Sequence, residues 1–181
     1  MKVCIAGAGV IGASIAYQLA LRGVGATLIE RHEVANAASG KSGGFLARDW
    51  CEGTPQDALA RLSFDMHQDL ADVLGTDYGY RRVDTYAIGA SAHASSGRAA
   101  LDTPSWVDGR CALQGRLGDT RSTAQLHPAA FTRALVDAAC ARGATLRHGC
   151  VRGVVADARD ARLTGVQVDE EVIDADALVI A

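Results

Sequence analysis

The sequence lacks the features that mark several protein classes outright. No apolar run approaches the ~18 residues that a membrane-spanning helix requires, and no block of like charges occurs. With a net charge of −3 and no cluster of Lys and Arg, the chain has no electrostatic footprint for nucleic acid. Its five cysteines, Cys4, Cys51, Cys111, Cys140 and Cys150, are scattered, odd in number and free of any CxxC pair. That pattern argues against a disulfide framework and against a zinc site, so no metal is expected. Met1–Ala6 runs directly into glycines, without the longer apolar stretch and cleavage site of a secretory signal. A reducing, cytoplasmic location is the expectation. What remains is 181 residues, 49% apolar and 22% charged, enough for a soluble globular fold with its own core.

The apolar pattern begins as strand, helix, strand. Lys2–Ala6 is a short apolar run that stops at glycine, as a buried parallel strand does. Val10–Arg22 reads as a helix, with Ile11, Ile15 and Leu19 as its apolar stripe and Gly23 at its end. Ala26–Glu30 is a second buried strand, completing a βαβ unit. A segment rich in glycine and small residues follows at 36–47. Thr54-Pro55-Gln56-Asp57 then predicts a helix start, with Thr54 as N-cap and Pro55 in the first turn. Leu59, Leu62, Met66, Leu70 and Val73 would form that helix's apolar face.

From Tyr78 to Gln125 the periodicity changes to alternation, at Val83, Thr85 and Ala87, around a polar loop at 91–104. Short antiparallel strands are expected over 106–126. His127-Pro128 opens another helix, carrying Phe131, Leu135 and Ala138 on one face. Ala144–Arg147 reads as a strand, 151–169 as a hairpin around Ala158–Ala161, and Val172–Asp174 as a further short strand. Ala177–Ala181 reads as a buried central strand. A natural terminus lies at the surface more often than in such a strand, so the sequence is expected to be part of a longer protein. The organisation predicted is a nucleotide-binding part over 1–77, an inserted lobe over 78–126 and a return to the first domain over 127–181.

Gly7-Ala8-Gly9-Val10-Ile11-Gly12 is GxGxxG. The pattern alone is weak. Here it follows a strand and opens a helix inside a βαβ unit, the context the dinucleotide fingerprint requires. Gly7 permits the tight turn, Gly9 lets backbone approach a pyrophosphate, and Gly12 lets the helix pack on the strand. The helix N-terminus supplies N–H groups and positive dipole to the phosphates. Glu30 ends the second strand and is placed to accept hydrogen bonds from a ribose diol, and its charge disfavours a 2′-phosphate. These residues alone leave FAD and NAD both open. A second small-residue loop, Ala38-Ser39-Gly40-Lys41-Ser42-Gly43-Gly44, suits the longer dinucleotide. Lys41-Ser42 is not a phosphate-binding P-loop, because Ala35 stands where that motif needs glycine.

Other candidates have plainer readings. His127 before Pro128 suits a helix boundary better than catalysis. His32, His67, His93 and His148 have no ligand spacing. Tyr78, Tyr80 and Tyr86 suit packing, and Asp49 with Glu52 could form an acid pair but reads more simply as solvated loop carboxylates.

The chain resembles the FAD-dependent oxidoreductases of the D-amino-acid oxidase and glycine oxidase family. The resemblance is carried by Gly7–Gly12, by Glu30-Arg31, by Ala38–Ala47, by Thr123–Pro128 with the following helix, and by Asp176–Ala181. The third block, with Asp49-Trp50-Cys51 after it, is the most specific and is similar to a subgroup of little-characterised oxidoreductases. The resemblance implies an α/β fold: an FAD-binding, glutathione-reductase-like Rossmann domain with part of an inserted antiparallel β substrate lobe. It implies FAD as the cofactor, held by Gly7, Ala8, Gly9, Val10, Ile11, Gly12, Glu30, Arg31, Ser39, Gly40, Lys41, Ser42, Gly43, Gly44 and Val151. It further implies hydride transfer from a small amine or amino acid to flavin N5. The family's C-terminal half, which completes the substrate lobe, has no counterpart in this sequence. No catalytic residue is therefore carried over, and the chain alone is expected to bind FAD weakly and turn nothing over. A non-catalytic module binding FAD or another protein, and an NAD-linked dehydrogenase, are the alternatives. Substrate and oligomeric state are not legible.

Overall fold

The structure, a computed structural model, describes residues 1–90, 104–107 and 111–181. The polar loop expected at 91–104 lies almost wholly outside the described residues. In chain order the elements begin with β1 (Val3–Ala6), α1 (Val10–Ala20), β2 (Ala26–Glu30), α2 (Ala38–Lys41), β3 (Phe45–Ala47) and α3 (Asp57–Val73). There follow β4 (Arg81–Arg82), β5 (Thr85–Ala90), β6 (Cys111–Gly118), β7 (Thr123–Gln125) and α4 (Pro128–Cys140). The chain closes with β8 (Thr145–His148), β9 (Val151–Ala156), β10 (Leu163–Val168), β11 (Glu171–Asp174) and β12 (Ala177–Ile180). Two compact units emerge. One comprises Met1–Gly44, Ala71–Tyr78 and His127–Ala181; the other comprises Phe45–Leu70 and Gly79–Leu126.

The first unit is built on a parallel sheet of order β12-β1-β2-β8. Its inner strands β1 and β2 are largely apolar on both sides because both faces are covered. Along β1 the side chains alternate: Ile5 lies beside Gly12 of α1, whereas Cys4 packs with Val166, Val168 and Ala175 of the antiparallel β11-β10-β9 layer. Burial pushes the Cys4 thiol pKa up, as for a small apolar core residue. The helix α4 is capped by His127, whose Nδ1 accepts the Ala130 N–H at 3.3 Å, with Pro128 in its first turn. Phe131 of α4 packs on Tyr78, ring centroids 5.2 Å apart.

Two expectations for this unit are corrected. The buried face of α1 is Gly12, Ala13, Ala16, Tyr17 and Ala20, not the Ile11–Ile15–Leu19 stripe, and Ile11 is 63% exposed. The cause is close approach: α1 packs against β1, β2 and α4, and small side chains let the backbones come near. The second correction concerns β12, which forms the sheet edge rather than its centre. It pairs with β1, with Cys4 opposite Leu178 and Ile5 opposite Val179, and Ile180 is 84% exposed. The centre belongs to β1, flanked by β12 and β2.

The second unit holds the antiparallel strands. β3 and β4 flank β7, and β5 pairs with β6. The Thr85 hydroxyl donates to Thr123 Oγ1 at 3.1 Å, and Thr123 donates to the Val83 carbonyl at 2.7 Å, so a buried polar pair ties the two sheets. In the segment before α3, Thr54 forms a turn: its hydroxyl donates to the Cys51 carbonyl at 2.7 Å and accepts the Gln56 N–H at 3.3 Å. Regular helix begins at Asp57, later than Pro55, and Asp57 pairs with Arg61 at 2.8 Å. The apolar stripe of α3 is corrected too. Leu59, Leu62, Met66 and Val73 are exposed, and Phe64, 2% exposed, is the buried residue of the helix. The Arg82 guanidinium lies 4.3 Å from the Phe64 ring centroid. Among the described residues no helix is long and apolar enough to cross a membrane.

Candidate functional site

β1 ends at Ala6, and the chain must turn sharply to start α1 four residues later. Gly7 makes that turn at φ +111°, and a side chain there would meet the Ala181 carbonyl oxygen at 2.3 Å. A side chain at Gly12 would lie 2.0 Å from the Gly7 carbonyl oxygen, so the loop and the first helical turn touch backbone to backbone. Gly9 has an ordinary extended conformation, φ −73° and ψ 179°. Its need for glycine is spatial, because a Cβ there would lie 2.9 Å from Ser39 Oγ.

A cavity of about 410 Å³ opens over this loop, lined wholly by the first unit. Gly7, Gly9 and Ile11 form one wall, Glu30, Arg31 and His32 another, Ala35–Ser39 a third, and Gly149, Cys150 and Val151 the last. The N-terminus of α1 is aimed at this region, with no acidic residue in its first turn to oppose an anion. Ser39 Oγ accepts the Val10 N–H at 2.9 Å, a cap delivered from outside the helix. Glu30 holds the loop in place: one carboxylate oxygen accepts the Ala8 N–H at 2.8 Å and the other the His32 N–H at 2.9 Å. Each oxygen keeps a further lone pair for a ligand hydroxyl.

The structure thus brings Gly7, Gly9, Ile11, Glu30, Arg31, Ser39 and Val151 to one cavity. Ala8, Val10 and Gly12 shape the loop without lining it. Gly40, Lys41, Ser42, Gly43 and Gly44 do not line it either. Gly40 is needed for packing, since a side chain there would meet the Ala35 carbonyl oxygen at 2.0 Å. His32, set aside for want of ligand spacing, and Asn36, not named from the sequence, both line the cavity, as does Cys150, the neighbour of the named Val151. Position was the available signal for His32, two residues after Glu30. Cys150 arrives beside Val151 through the pairing of β8 with β2 and the Gly149 N–H donated to the Glu30 carbonyl at 3.0 Å. Ala35 adopts φ +62° here, uncommon for a residue with a side chain.

The second unit has a separate cleft of about 480 Å³, lined by Arg48, Asp49, Arg61, Arg116, Asp119 and Arg121 among others. Its arginines all have acidic partners. Arg48 pairs with Asp65, Arg61 with Asp57 and Glu52, Arg116 with Asp84, and Arg121 with Asp119. The Arg121 side chain and backbone N–H hold the Asp119 carboxyl down to about 2. Glu52 pairs with Arg61 at 3.6 Å. No group of metal-ligating side chains occurs among the described residues.

Known proteins supply the comparison. A Schizosaccharomyces pombe protein classed as a candidate oxidoreductase is 30% identical over 98% of this chain and 50% of its own length. Glycine oxidase from Bacillus cereus has the same fold, with a TM-score of 0.83 at 24% identity over 99% of this chain and 56% of that one. L-amino acid deaminase from Proteus vulgaris superposes with a TM-score of 0.73 at 16% identity, covering 99% of this chain and 46% of that one. The chain therefore spans about half the length of these relatives. The α/β fold with its parallel sheet, read from the sequence, is the fold these structures share. The family described as FAD dependent oxidoreductase matches residues 2–181. The cavity suits its cofactor: a glycine loop that added side chains would fill, a helix N-terminus without opposing charge, and a carboxylate with lone pairs to spare. With the match running over nearly every residue, this chain belongs to the FAD-dependent oxidoreductase family, and its cofactor is FAD.

Proposed function

We propose that the first unit holds the FAD of an oxidoreductase acting on a small amine or amino acid, and that the second unit forms part of its substrate lobe. The observation that carries this reading is the cavity at the end of β1 and β2, where the glycine loop, Glu30, Ser39 and Val151 converge. In this reading the α1 N-terminus and the loop N–H groups hold the pyrophosphate, with Ser39 beside them. Glu30 accepts the adenosine ribose hydroxyls, and its existing bonds to Ala8 and His32 fix the carboxylate for that task. Residues 149–151 face the adenine. Arg31 flanks Glu30 at the cavity wall. Lys41 ends α2, and Ser42, Gly43 and Gly44 lead from it to β3, the course expected of a chain passing from the pyrophosphate toward the isoalloxazine ring. Bound FAD supplies the two-electron acceptor for the substrate.

The amine or amino-acid substrate is proposed from the named activities of the glycine oxidase and the L-amino acid deaminase. We place steady turnover beyond this chain alone, which is expected to bind FAD weakly. Titrating FAD with the chain and following flavin fluorescence tests the reading. Saturable quenching that NAD does not compete, and that Glu30→Gln weakens, supports it. Competition by NAD in place of FAD binding would overturn it. Anaerobic bleaching of the flavin by a panel of amines, in a chain extended to its relatives' length, tests the substrate class. Steady amine oxidation by the isolated chain would contradict the division of labour proposed here.

A further inference from the structure

The structure assigns to Asp169 the role of a positioning residue for the base end of this cavity. The inference rests on the FAD reading above and adds a residue outside the cavity wall. Gly149, Cys150 and Val151 form the turn from β8 into β9 and line the cavity. The turn is pinned from two sides. On one side the Gly149 N–H donates to the Glu30 carbonyl at 3.0 Å, which ties it to the strand end that carries the ribose-facing carboxylate.

On the other side stands Asp169, at the turn between β10 and β11. Its carboxylate oxygens accept the Cys150 N–H at 3.3 Å and 3.2 Å. Its own N–H donates to the Cys150 carbonyl at 2.9 Å. One residue therefore engages both backbone polar groups of Cys150. Asp169 does so from φ +51°, a conformation that Asp and Asn tolerate better than most residues. Arg152 lies 3.7 Å from the same carboxylate and steadies its charge. The turn itself has no bulk to stiffen it: a side chain at Gly149 would meet Val168 Cγ1 at 2.6 Å and Asp169 Oδ2 at 2.9 Å. The position of the Cys150–Val151 peptide edge is thus set by the Asp169 clamp.

A peptide edge reads a purine through donor and acceptor pattern. Adenine presents an amino donor and an N1 acceptor where hypoxanthine presents a carbonyl acceptor and an N1–H donor, so the backbone at Val151, which lines the cavity, tells them apart only if it is held in register. Asp169 does not itself line the cavity but holds Cys150, which does, so its effect is expected to appear as base selectivity. The test compares ADP with IDP in equilibrium binding to the wild-type chain, to Asp169→Gly and to Asp169→Asn. Glycine keeps the left-handed backbone and the N–H bond to the Cys150 carbonyl but removes the carboxylate half of the clamp; asparagine keeps both the conformation and an acceptor oxygen.

The wild type is expected to prefer ADP. Asp169→Gly is expected to lower the ADP-to-IDP preference roughly fivefold, the factor that about one net hydrogen bond carries, and Asp169→Asn to restore most of it. A merely structural role would weaken both nucleotides alike and leave the ratio unchanged. An unchanged ratio in Asp169→Gly, or equal binding of ADP and IDP by the wild type, overturns the assignment while leaving the FAD reading intact. Failure of the folded wild type to bind either ADP or FAD overturns both.

Discussion

Gly9→Ala separates ligand binding from folding more cleanly than any other change in the glycine loop. Gly7 sits at φ +111°, where any side chain brings backbone strain, and a Cβ at Gly12 would lie 2.0 Å from the Gly7 carbonyl oxygen, so substituting either disturbs the fold itself. Gly9 has φ −73° and ψ 179°, a backbone that alanine adopts at no cost. The new methyl would meet only Ser39 Oγ, at 2.9 Å. Ser39 can turn away, giving up the hydrogen bond it accepts from the Val10 N–H, a loss of about 1 kcal/mol. For a chain of this size that shifts the melting temperature by roughly 2–4 °C. The methyl also stands between the loop backbone and a phosphate. Losing one charge-assisted amide–phosphate bond costs about 1.5–3 kcal/mol, or about 10- to 100-fold in Kd. Thermal denaturation followed by circular dichroism, with FAD fluorescence titration alongside, measures both quantities. A folded Gly9→Ala chain that binds FAD as tightly as the wild type would refute the placement of the pyrophosphate at this loop.

Two further outcomes probe the second unit. Phe64→Ala should lose about 3–5 kcal/mol, as a fully buried aromatic does. Leu62→Ala, on the exposed face of the same helix, should stay within about 0.5 kcal/mol, and urea denaturation of the two variants decides it. The second outcome concerns pH. Burial holds the His67 pKa below its ordinary 6.5. Below 6.5 the unfolded chain therefore takes up a proton that the folded chain resists. Stability contributed by neutral His67 is fully present above 6.5 and is lost as pH falls through the lower folded value. The urea midpoint should drop between about pH 7.5 and about pH 5.5, and His67→Gln should flatten that drop. An equal drop in the variant would assign the acid sensitivity to another group.

The features that sequence displayed best were those where chemistry restricts residue choice. GxGxxG after a strand leaves few alternatives, because a tight turn and a backbone approach that an added Cβ would enter at 2.0 Å both demand glycine. The carboxylate at the end of β2 is likewise set by its place in the βαβ unit. His127 and Pro128 marked the start of α4 through the same local logic of unsatisfied N–H groups. What escaped was whatever tertiary packing decides. In α1 the period of large residues pointed to Ile11, while the buried face is made of glycine and alanine, where closeness rather than apolar area is being optimised.

The α3 helix carries the same lesson in the opposite direction. Its periodic face, Leu59, Leu62 and Met66, is exposed, and a single phenylalanine off that face is buried. Periodicity reports that a helix has an apolar side; it does not report what that side meets. The cavity shows a third kind of limit. Cys150 and Asp169 are far from Glu30 in sequence, and only the β2–β8 pairing and the β9–β10 hairpin bring them to it. Their joint geometry, a glycine turn held between the Glu30 carbonyl and the Asp169 carboxylate, has no local signature. The half of the cofactor site that lies within one βαβ unit was therefore legible from its own residues, whereas in the half assembled across strands only Val151 was named, through the family resemblance, and the Asp169 contact to its neighbour was not.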